Sequence, residues 1–427
     1  MSNYSNEHFR NMVLEDRVHR AMYVDPGVFE VEMQKIFGRL WVYVGHESLI
    51  PNPGDYYCTT IARQAVVLAR HTDGTVHVLF NRCGHRGAKV LQEQRGNAKY
   101  FTCMYHGWAF RTNGELAGVP MRQDFPEAAL QDPQFGMVPL PRVESYRGFV
   151  FASLDPKVMP LLDHLDEARV GIDEICDRAP AGEIELWAGC HRYHYKGNWK
   201  LQMENMADMY HPAACHGSTV GPDGRQFQRR AGAKGGSAPF FAPNGEAIVA
   251  QTGVRGFRNG HSSEASLFRE EQSGGVWDEY RAQLEAIHGP ERTTDILKNK
   301  RHSMTLFPNL DVLIAQNSVR VVRPLAVDLT EVEIWPVRLK GAPEDISTGL
   351  VKFANITHAA ASFIQTDDLE GFERCQEGLN TQGTDWVLVA RGLGAEIDEG
   401  KGVFFGPRSS EVGQRAQHYA WRDLMSA

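Results

Sequence analysis

Apolar positions recur at helical spacing early in the chain. Asp25-Pro26 reads as a helix start, with Asp as N-cap and Pro at the first helical position, and Val28, Phe29, Met33, Ile36 and Phe37 follow. From about residue 40 the pattern shortens. Apolar stretches at 66–69 and 75–80 flank Asp73-Gly74, and Asn113-Gly114 marks a second tight turn, so both regions read as β-hairpins, with a further strand at 148–154. After residue 155 the texture changes again. Residues 198–211 mix polar and apolar positions at helical spacing, whereas 217–275, rich in Gly, Ser and charge, read as a long loop or lid. Strands return at 312–322 and 331–337, and Phe353, Ile356, Ala360, Phe363 and Ile364 predict one long helix towards the C-terminus. Three segments result: a helical segment 1–39 packing with the last, a strand-rich module 40–154, and a larger domain 155–427.

Composition narrows the class. Of 427 residues, 42% are hydrophobic and 23% charged, which is ordinary globular usage. Lys and Arg total 45 against 53 Asp and Glu, a net charge of −8 that argues against nucleic acid as a partner. Apolar runs stop far short of the roughly 20 residues that span a bilayer, and the first residues carry no apolar leader segment. Seven cysteines, an odd number spread along the chain, show no disulfide framework. The expectation is a soluble, reduced, cytoplasmic protein with no membrane partner.

Two Cys/His pairs lie in the strand-rich module: Cys83-Gly84-His85 and Cys103-Met104-Tyr105-His106. Each offers one thiolate and one imidazole, and two such pairs at hairpin tips can converge on one centre. A Rieske [2Fe–2S] cluster takes two cysteines on one iron and two histidines on the other; a tetrahedral zinc takes the same four donors. The remaining cysteines, Cys58, Cys176, Cys190, Cys215 and Cys375, lack a partner pattern and read as incidental thiols. A second group follows in LQMENMADMYHPAACH. On a helix, Asn205, Asp208 and His211 share a face, and Pro212 ends or distorts that helix so that His216 turns back towards it. A 2-His-1-carboxylate set holds Fe(II) and leaves positions open for O2 and substrate.

The segments Asn81-Arg82-Cys83-Gly84-His85-Arg86-Gly87 and Cys103-Met104-Tyr105-His106-Gly107-Trp108 resemble the two cluster-binding loops of the Rieske domain of ring-hydroxylating oxygenases. Residues 198–216 resemble the mononuclear-iron segment of the same family, residues 365–373 its acidic pair followed by Glu, and Ser410-Glu411, Arg415, Tyr419 and Trp421-Arg422 its tail. The resemblance runs from about residue 25 to the end. It implies a [2Fe–2S] Rieske cluster on Cys83, His85, Cys103 and His106, with glycines that let backbone approach the sulfides. It implies a mononuclear Fe(II) on His211, His216 and an acid, Asp368 rather than Asp367 because Glu373 lies five residues later. Asp208 is implied not as a ligand but as a bridge from His211 to His106 of a neighbouring chain, with Asn205 near the iron.

The fold implied is α+β: an antiparallel β Rieske domain and a catalytic domain whose antiparallel sheet is surrounded by helices in a helix-grip arrangement. The function implied is that of the large (alpha) subunit of a multicomponent terminal oxygenase, which uses O2 and NAD(P)H-derived electrons to dihydroxylate or hydroxylate an aromatic ring. Such subunits form homotrimers, or α3β3 assemblies with a small beta subunit. No Rossmann or flavin fingerprint is present, so electrons come from a separate NAD(P)H-dependent reductase, in some systems through a ferredoxin. Residues 41–56 and 365–376 resemble most the enzymes acting on benzoate-like acids such as salicylate, anthranilate and terephthalate. An aromatic carboxylate calls for a cation in the pocket. Arg320 and Arg323 lie on a predicted strand ahead of Pro324, only one face of which looks inward, and Arg255 and Arg258 lie in the expected lid. Two other readings stand beside this one: a Rieske monooxygenase, a ring hydroxylase or demethylase, acting on a small aromatic compound; and a non-catalytic electron-transfer or zinc-binding protein, which leaves His211, His216 and Asp368 without a role.

Overall fold

The computed structural model describes residues 4–186, 189–217, 253–265, 273–298, 301–407 and 409–427. The chain divides into two compact units, one of Phe37–Leu161 and one of Met1–Ile36 with Leu162–Ala427. Both are α+β with antiparallel sheets. Among the described residues no helix is long and apolar enough to cross a membrane.

The unit Phe37–Leu161 holds three small sheets. Gln64–Arg70 sits between Asp55–Ile61 and Val76–Phe80, and the Asp73-Gly74 turn joins the second hairpin, with Asp73 Oδ1 accepting the Thr75 N–H. Val66, Val67, Leu68 and Ala69 are all buried, which is why that strand reads as a continuous apolar run rather than an alternating one. The Asn113-Gly114 turn joins Ala109–Phe110 to Leu116–Gly118. Val67, Leu79, Phe101, Trp108, Phe110 and Met137 form one core that also takes in Cys83 and Cys103.

The other unit is built on a sheet of nine described strands. Their order is His191–Tyr195, Leu329–Pro336, Ser318–Ala326, Leu310–Leu313, Arg301–Leu306, Ser262–Ala265, Gly253–Gly256, Val403–Pro407 and Ile397–Gly400. Strand alternation gives this sheet two unlike faces. Register aligns Met304 with Val312 and Val319, an apolar face on which helix Val170–Asp177 packs through the close approach of Gly171 to Met304. The other face carries a buried polar row: Thr305 opposite Asp311, and Asp311 opposite Arg320, with Glu264 opposite Ser303 beside it. Helices Trp199–Asn205 and Gln365–Leu379 lie against that face. The Ser303 hydroxyl donates to the Met206 carbonyl (3.2 Å), and Phe372 packs on Tyr193, Tyr195, Val332 and Ile334.

Buried polar groups fix these helices. Asp25 caps helix Pro26–Lys35 by accepting the Gly27 N–H. Within that helix, fully buried Glu32 accepts from Trp199 Nε1 (2.9 Å), Lys200 Nζ (2.5 Å) and Trp421 Nε1 (2.6 Å), tying it to Trp199–Asn205 and to the C-terminal helix Val412–Met425. Asn198 caps the Lys200 N–H, its amide donates to the carbonyls of Tyr23 and Val327, and its own N–H donates to Gln376 Oε1.

Several expectations are corrected. The helix expected through 211 stops at Asn205, because the Asp208 carboxylate takes the Tyr210 N–H (2.6 Å) and competes with the helical ladder. His211 has right-handed helical backbone despite preceding a proline, and Pro212 instead begins a new short helix, Pro212–Cys215. Within 217–275, Gly253–Gly256 and Ser262–Ala265 are strands of the large sheet, and buried Ser262, Ser263 and Glu264 show why hydropathy hid them. Of that stretch, 218–252 and 266–272 lie outside the described residues. The strand expected at 312–322 is two, Leu310–Leu313 and Ser318–Ala326, turning at Asn317 with φ +52°. The single C-terminal helix is also two, Glu344–His358 and Gln365–Leu379. The Ser362 hydroxyl accepts the Gln365 N–H to start the second, and the buried face of the first is Ile346, Leu350 and Ala354 rather than the positions expected.

Two predictions follow from buried charge. Glu32→Ala strands the Lys200 ammonium and costs about 3–5 kcal/mol, read as a lower urea midpoint of this unit. The second concerns His164 and His261. His164 Nε2–H donates to the Phe307 carbonyl, His261 Nε2–H donates to the His164 carbonyl, and the Phe307 N–H donates to His261 Nδ1. Burial pushes the two imidazoles down to about 3 and about 4, respectively. Above the ordinary histidine value of about 6.5 neither state binds the proton, so stability is unaffected. Below it the unfolded chain takes up protons the folded chain refuses. Stability therefore falls as pH drops from about 6.5 towards about 4. The urea midpoint should decline over that interval, with a shallower slope in His261→Gln; equal slopes contradict the assignment.

Candidate metal centres

The two Cys/His loops share one backbone design. The Cys83 N–H donates to the Ala88 carbonyl and the Gly87 N–H to the Cys83 carbonyl; the Cys103 N–H donates to the Trp108 carbonyl and the Gly107 N–H to the Cys103 carbonyl. Gly87 and Gly107 take φ of +77° and +71°, so glycine is required to close each turn. Their role is thus a left-handed turn within the loop. Buried Asn81 clamps the chain after the first loop, accepting the Val90 and Leu91 N–H groups and donating to the Leu91 carbonyl.

This design separates the donors by kind. Cys83 and Cys103 are each 2% exposed and lie in one buried core. His106 is exposed at the loop tip, and His85 is half-buried, stacked on Trp108 with ring centroids 4.9 Å apart and 4.6 Å from the His106 centroid. Paired thiols inward and paired imidazoles outward suit a two-iron cluster with a different ligand type on each iron. A single zinc needs all four donors about one point. Among the described residues the only set of three or more His, Cys, Asp or Glu ligand atoms gathered within 4.8 Å is His211, His216 and Asp368.

That second set comes from three elements. Asn205 ends helix Trp199–Asn205, His211 and His216 flank helix Pro212–Cys215, and Asp368 lies in the first turn of Gln365–Leu379. Asp368 Oδ1 is 3.5 Å from His211 Nε2 and 3.2 Å from His216 Nε2, and accepts from Asn205 Nδ2 at 3.1 Å. The outer nitrogens face two further carboxylates: His211 Nδ1 lies 3.5 Å from Asp208 Oδ2, an ion-pair contact too long for a good hydrogen bond, and His216 Nδ1 lies 3.2 Å from Asp367 Oδ2. Asp367, weighed above as a rival ligand, thus stands behind His216. Glu373 accepts the Lys196 N–H instead of approaching the triad.

Electrostatics make this a site for positive charge. Burial would raise the Asp368 carboxyl, but the His216 hydrogen bond and the charges of His211, His216 and Arg320 hold it below its usual value. Burial opposes a charged His216, yet Asp368 and Asp367 raise its proton affinity above the ordinary. For Asp208 too, burial is outweighed by His211 and the Tyr210 N–H, so its carboxyl is held low. Two imidazoles with carboxylates at their outer nitrogens, converging on a third, match the donor types that a facial-triad divalent iron site takes.

The arginines separate clearly. Arg323 faces away from the polar row and pairs with Glu331 (3.6 Å) and Glu333 (2.9 Å). Arg255 pairs with Glu399, and Arg258 is an exposed side chain near Asp166. Arg320 belongs to the polar row, its Nη2 donating to Gln365 Oε1 at 2.9 Å. Sequence reasoning missed Gln365, Gln376 and Asn198 as the groups that position the triad's helices; only the capping pattern at Asn198 carried a signal.

Comparison with known proteins agrees with this geometry. Residues 40–141 match the family described as the Rieske [2Fe-2S] domain, and residues 185–427 match the ring hydroxylating alpha subunit (catalytic domain). The 2-halobenzoate 1,2-dioxygenase large subunit of Burkholderia cepacia is 32% identical over 88% of this chain and 80% of its own length. The toluate 1,2-dioxygenase subunit alpha of Pseudomonas putida is 32% identical over 96% and 91%. The solved structure of naphthalene 1,2-dioxygenase with indole bound in the active site superposes with a TM-score of 0.83 at 27% identity, covering 97% of this chain and 94% of that one. A chain that pairs these two domains over nearly its whole length belongs to the family of Rieske ring-hydroxylating oxygenase alpha subunits, with a [2Fe–2S] cluster and a mononuclear iron as its cofactors.

Proposed function

We propose that this protein is the large oxygenase subunit of a multicomponent system that dihydroxylates the ring of an aromatic carboxylate with O2. The observation that carries the reading is the convergence of His211, His216 and Asp368 in a chain that also presents two thiols and two imidazoles on matched loops. The names of the 2-halobenzoate and toluate relatives support the substrate class and the presence of a second, smaller subunit.

In this reading Cys83, Cys103, His85 and His106 hold the cluster, and His211, His216 and Asp368 hold the iron. When bound, the cluster supplies electrons singly and the iron supplies a place where O2 is activated beside the ring. Asp367 holds the His216 imidazole by its outer nitrogen, and the Asp208 carboxylate faces the outer nitrogen of His211, so both Nε2 atoms turn towards Asp368. Asn205 pins Asp368 Oδ1 from one side. Asp208 retains partial exposure, 28% of its side chain, so it can accept from a second imidazole, and we assign that donor to His106 of a neighbouring chain. Exposed Met104 and Tyr105 beside His106 suit a surface covered in a trimer, alone or with a small subunit. Electrons come from a separate NAD(P)H-dependent reductase, in some systems through a ferredoxin.

Purified protein should contain about three irons per chain and give a Rieske EPR signal when reduced. His216→Ala should lose one iron and keep that signal; loss of the signal with retention of the third iron contradicts the assignment. Asp208→Asn should keep every iron yet slow NADH-dependent turnover roughly 10–100-fold. Products formed under labelled O2 should carry both oxygen atoms; one atom only indicates monooxygenation.

A further inference from the structure

Arg320 is 1% exposed, yet its hydrogen-bond partners are neutral. Nη1 donates to Met206 Sδ at 2.8 Å and Nη2 to Gln365 Oε1 at 2.9 Å, while Nε has no partner. Among the described residues no carboxylate lies within ion-pair distance of it. Asp311 lies across the strand ladder, and burial pushes its carboxyl up to about 7 despite the pull of Arg320 and Thr305, so at neutral pH it is a partial counter-ion. Arg323, three residues on and facing the other way, shows the contrast with its two glutamates.

A buried guanidinium with no carboxylate in direct ion-pair contact is costly to keep. Its surroundings indicate what would compensate. Gln365 Nε2 and the buried Tyr193 hydroxyl are also without partners. Tyr193 is near enough to Arg320 and Asp368 for both charges to act on it. Three unpartnered donor groups, one of them cationic, match a ligand that only accepts, and a carboxylate is such a group. The location fits as well. Met206 follows Asn205, Gln365 precedes Asp368 by one helical turn, and Asn205 and Asp368 are joined at the triad.

We propose that Arg320 receives the carboxylate of the aromatic substrate, with Gln365 and Tyr193 as accompanying donors, and so sets the preference for acids over neutral arenes. This rests on reading the triad as the oxygenase centre. The test uses iron-loaded protein titrated calorimetrically with benzoate and with benzamide, its neutral counterpart, together with NADH-dependent O2 uptake on each. Wild type should prefer benzoate. Arg320→Gln should lose benzoate affinity on the order of 100-fold and leave benzamide affinity within about threefold, with Arg320→Lys intermediate. Unchanged benzoate affinity in Arg320→Gln, or a wild-type preference for benzamide, overturns the proposal. Iron content and thermal unfolding verify that the variants are folded; should Arg320→Gln fail to fold, Tyr193→Phe and the wild-type benzoate-to-benzamide ratio decide by the same direction of change. Uptake with neutral arenes alone overturns the role of Arg320 and leaves ring oxygenation standing. Benzoate binding that depends on Arg320 without uptake on any arene supports the anion site and overturns the oxygenase reading instead.

Discussion

Asp368 Oδ1 is the point about which the catalytic unit is organised. It is an oxygen in a side chain 5% exposed, approached by the inner nitrogens of two histidines and by the Asn205 amide. Those groups come from separate elements, so the meeting point exists only if helices Trp199–Asn205 and Gln365–Leu379 keep a fixed spacing. Asn198 and Gln376 supply it through the buried bond from the Asn198 N–H to Gln376 Oε1, and both amides also donate to the Tyr23 carbonyl. Burial makes this clamp effective. A lost bond there would leave amide groups with neither partner nor water.

The same logic runs through the sheet beneath. A sheet buried on both faces usually gains from apolar residues on each. Here one face does so, with Met304, Val312 and Val319 against helix Val170–Asp177. The other buries Thr305, Asp311, Arg320 and Glu264, and several of their polar atoms lack partners. That polar row is a poor source of stability. Stability comes instead from the apolar face, from the cluster of Phe372 with Tyr193, Tyr195, Val332 and Ile334, and from hubs such as Glu32, which satisfies three donors at once. The division frees the polar face for chemistry.

Legibility in the sequence followed the range of the interaction. The Cys/His loops are local: a cysteine, a glycine four residues later and a carbonyl one further on close each turn, so the motif carries its own geometry. The Asp25 cap and the Asp73-Gly74 hairpin are local too. The triad was legible as residue types and not as geometry. The helical face expected to join Asn205, Asp208 and His211 does not exist, because the Asp208 side chain diverts the backbone after Asn205. The strands at 253–256 and 262–265 were hidden because Gly, Ser and Glu fill positions whose burial depends on distant partners. Between the two C-terminal helices the Ser362 hydroxyl takes the Gln365 N–H, a polar contact with no signature in the apolar pattern.

The paired carboxylates behind the histidines show how position divides chemically identical groups. Asp367 and Asp368 are adjacent on one helix, so their side chains diverge by about 100° around its axis. One reaches the inner nitrogen of His216 and the other its outer nitrogen, so the two acids grip a single imidazole from both sides. Removing the carboxylate at 368 would leave His211 Nε2 without an acid, because Asp367 reaches His216 alone. Asp208 completes the pattern at the outer side of His211, and its separate segment lets it keep the partial exposure that Asp368 gives up. An acid shared by two inner nitrogens is enclosed by them, whereas one facing a single outer nitrogen keeps an edge open to solvent, so the two positions differ in burial although the residue type is the same.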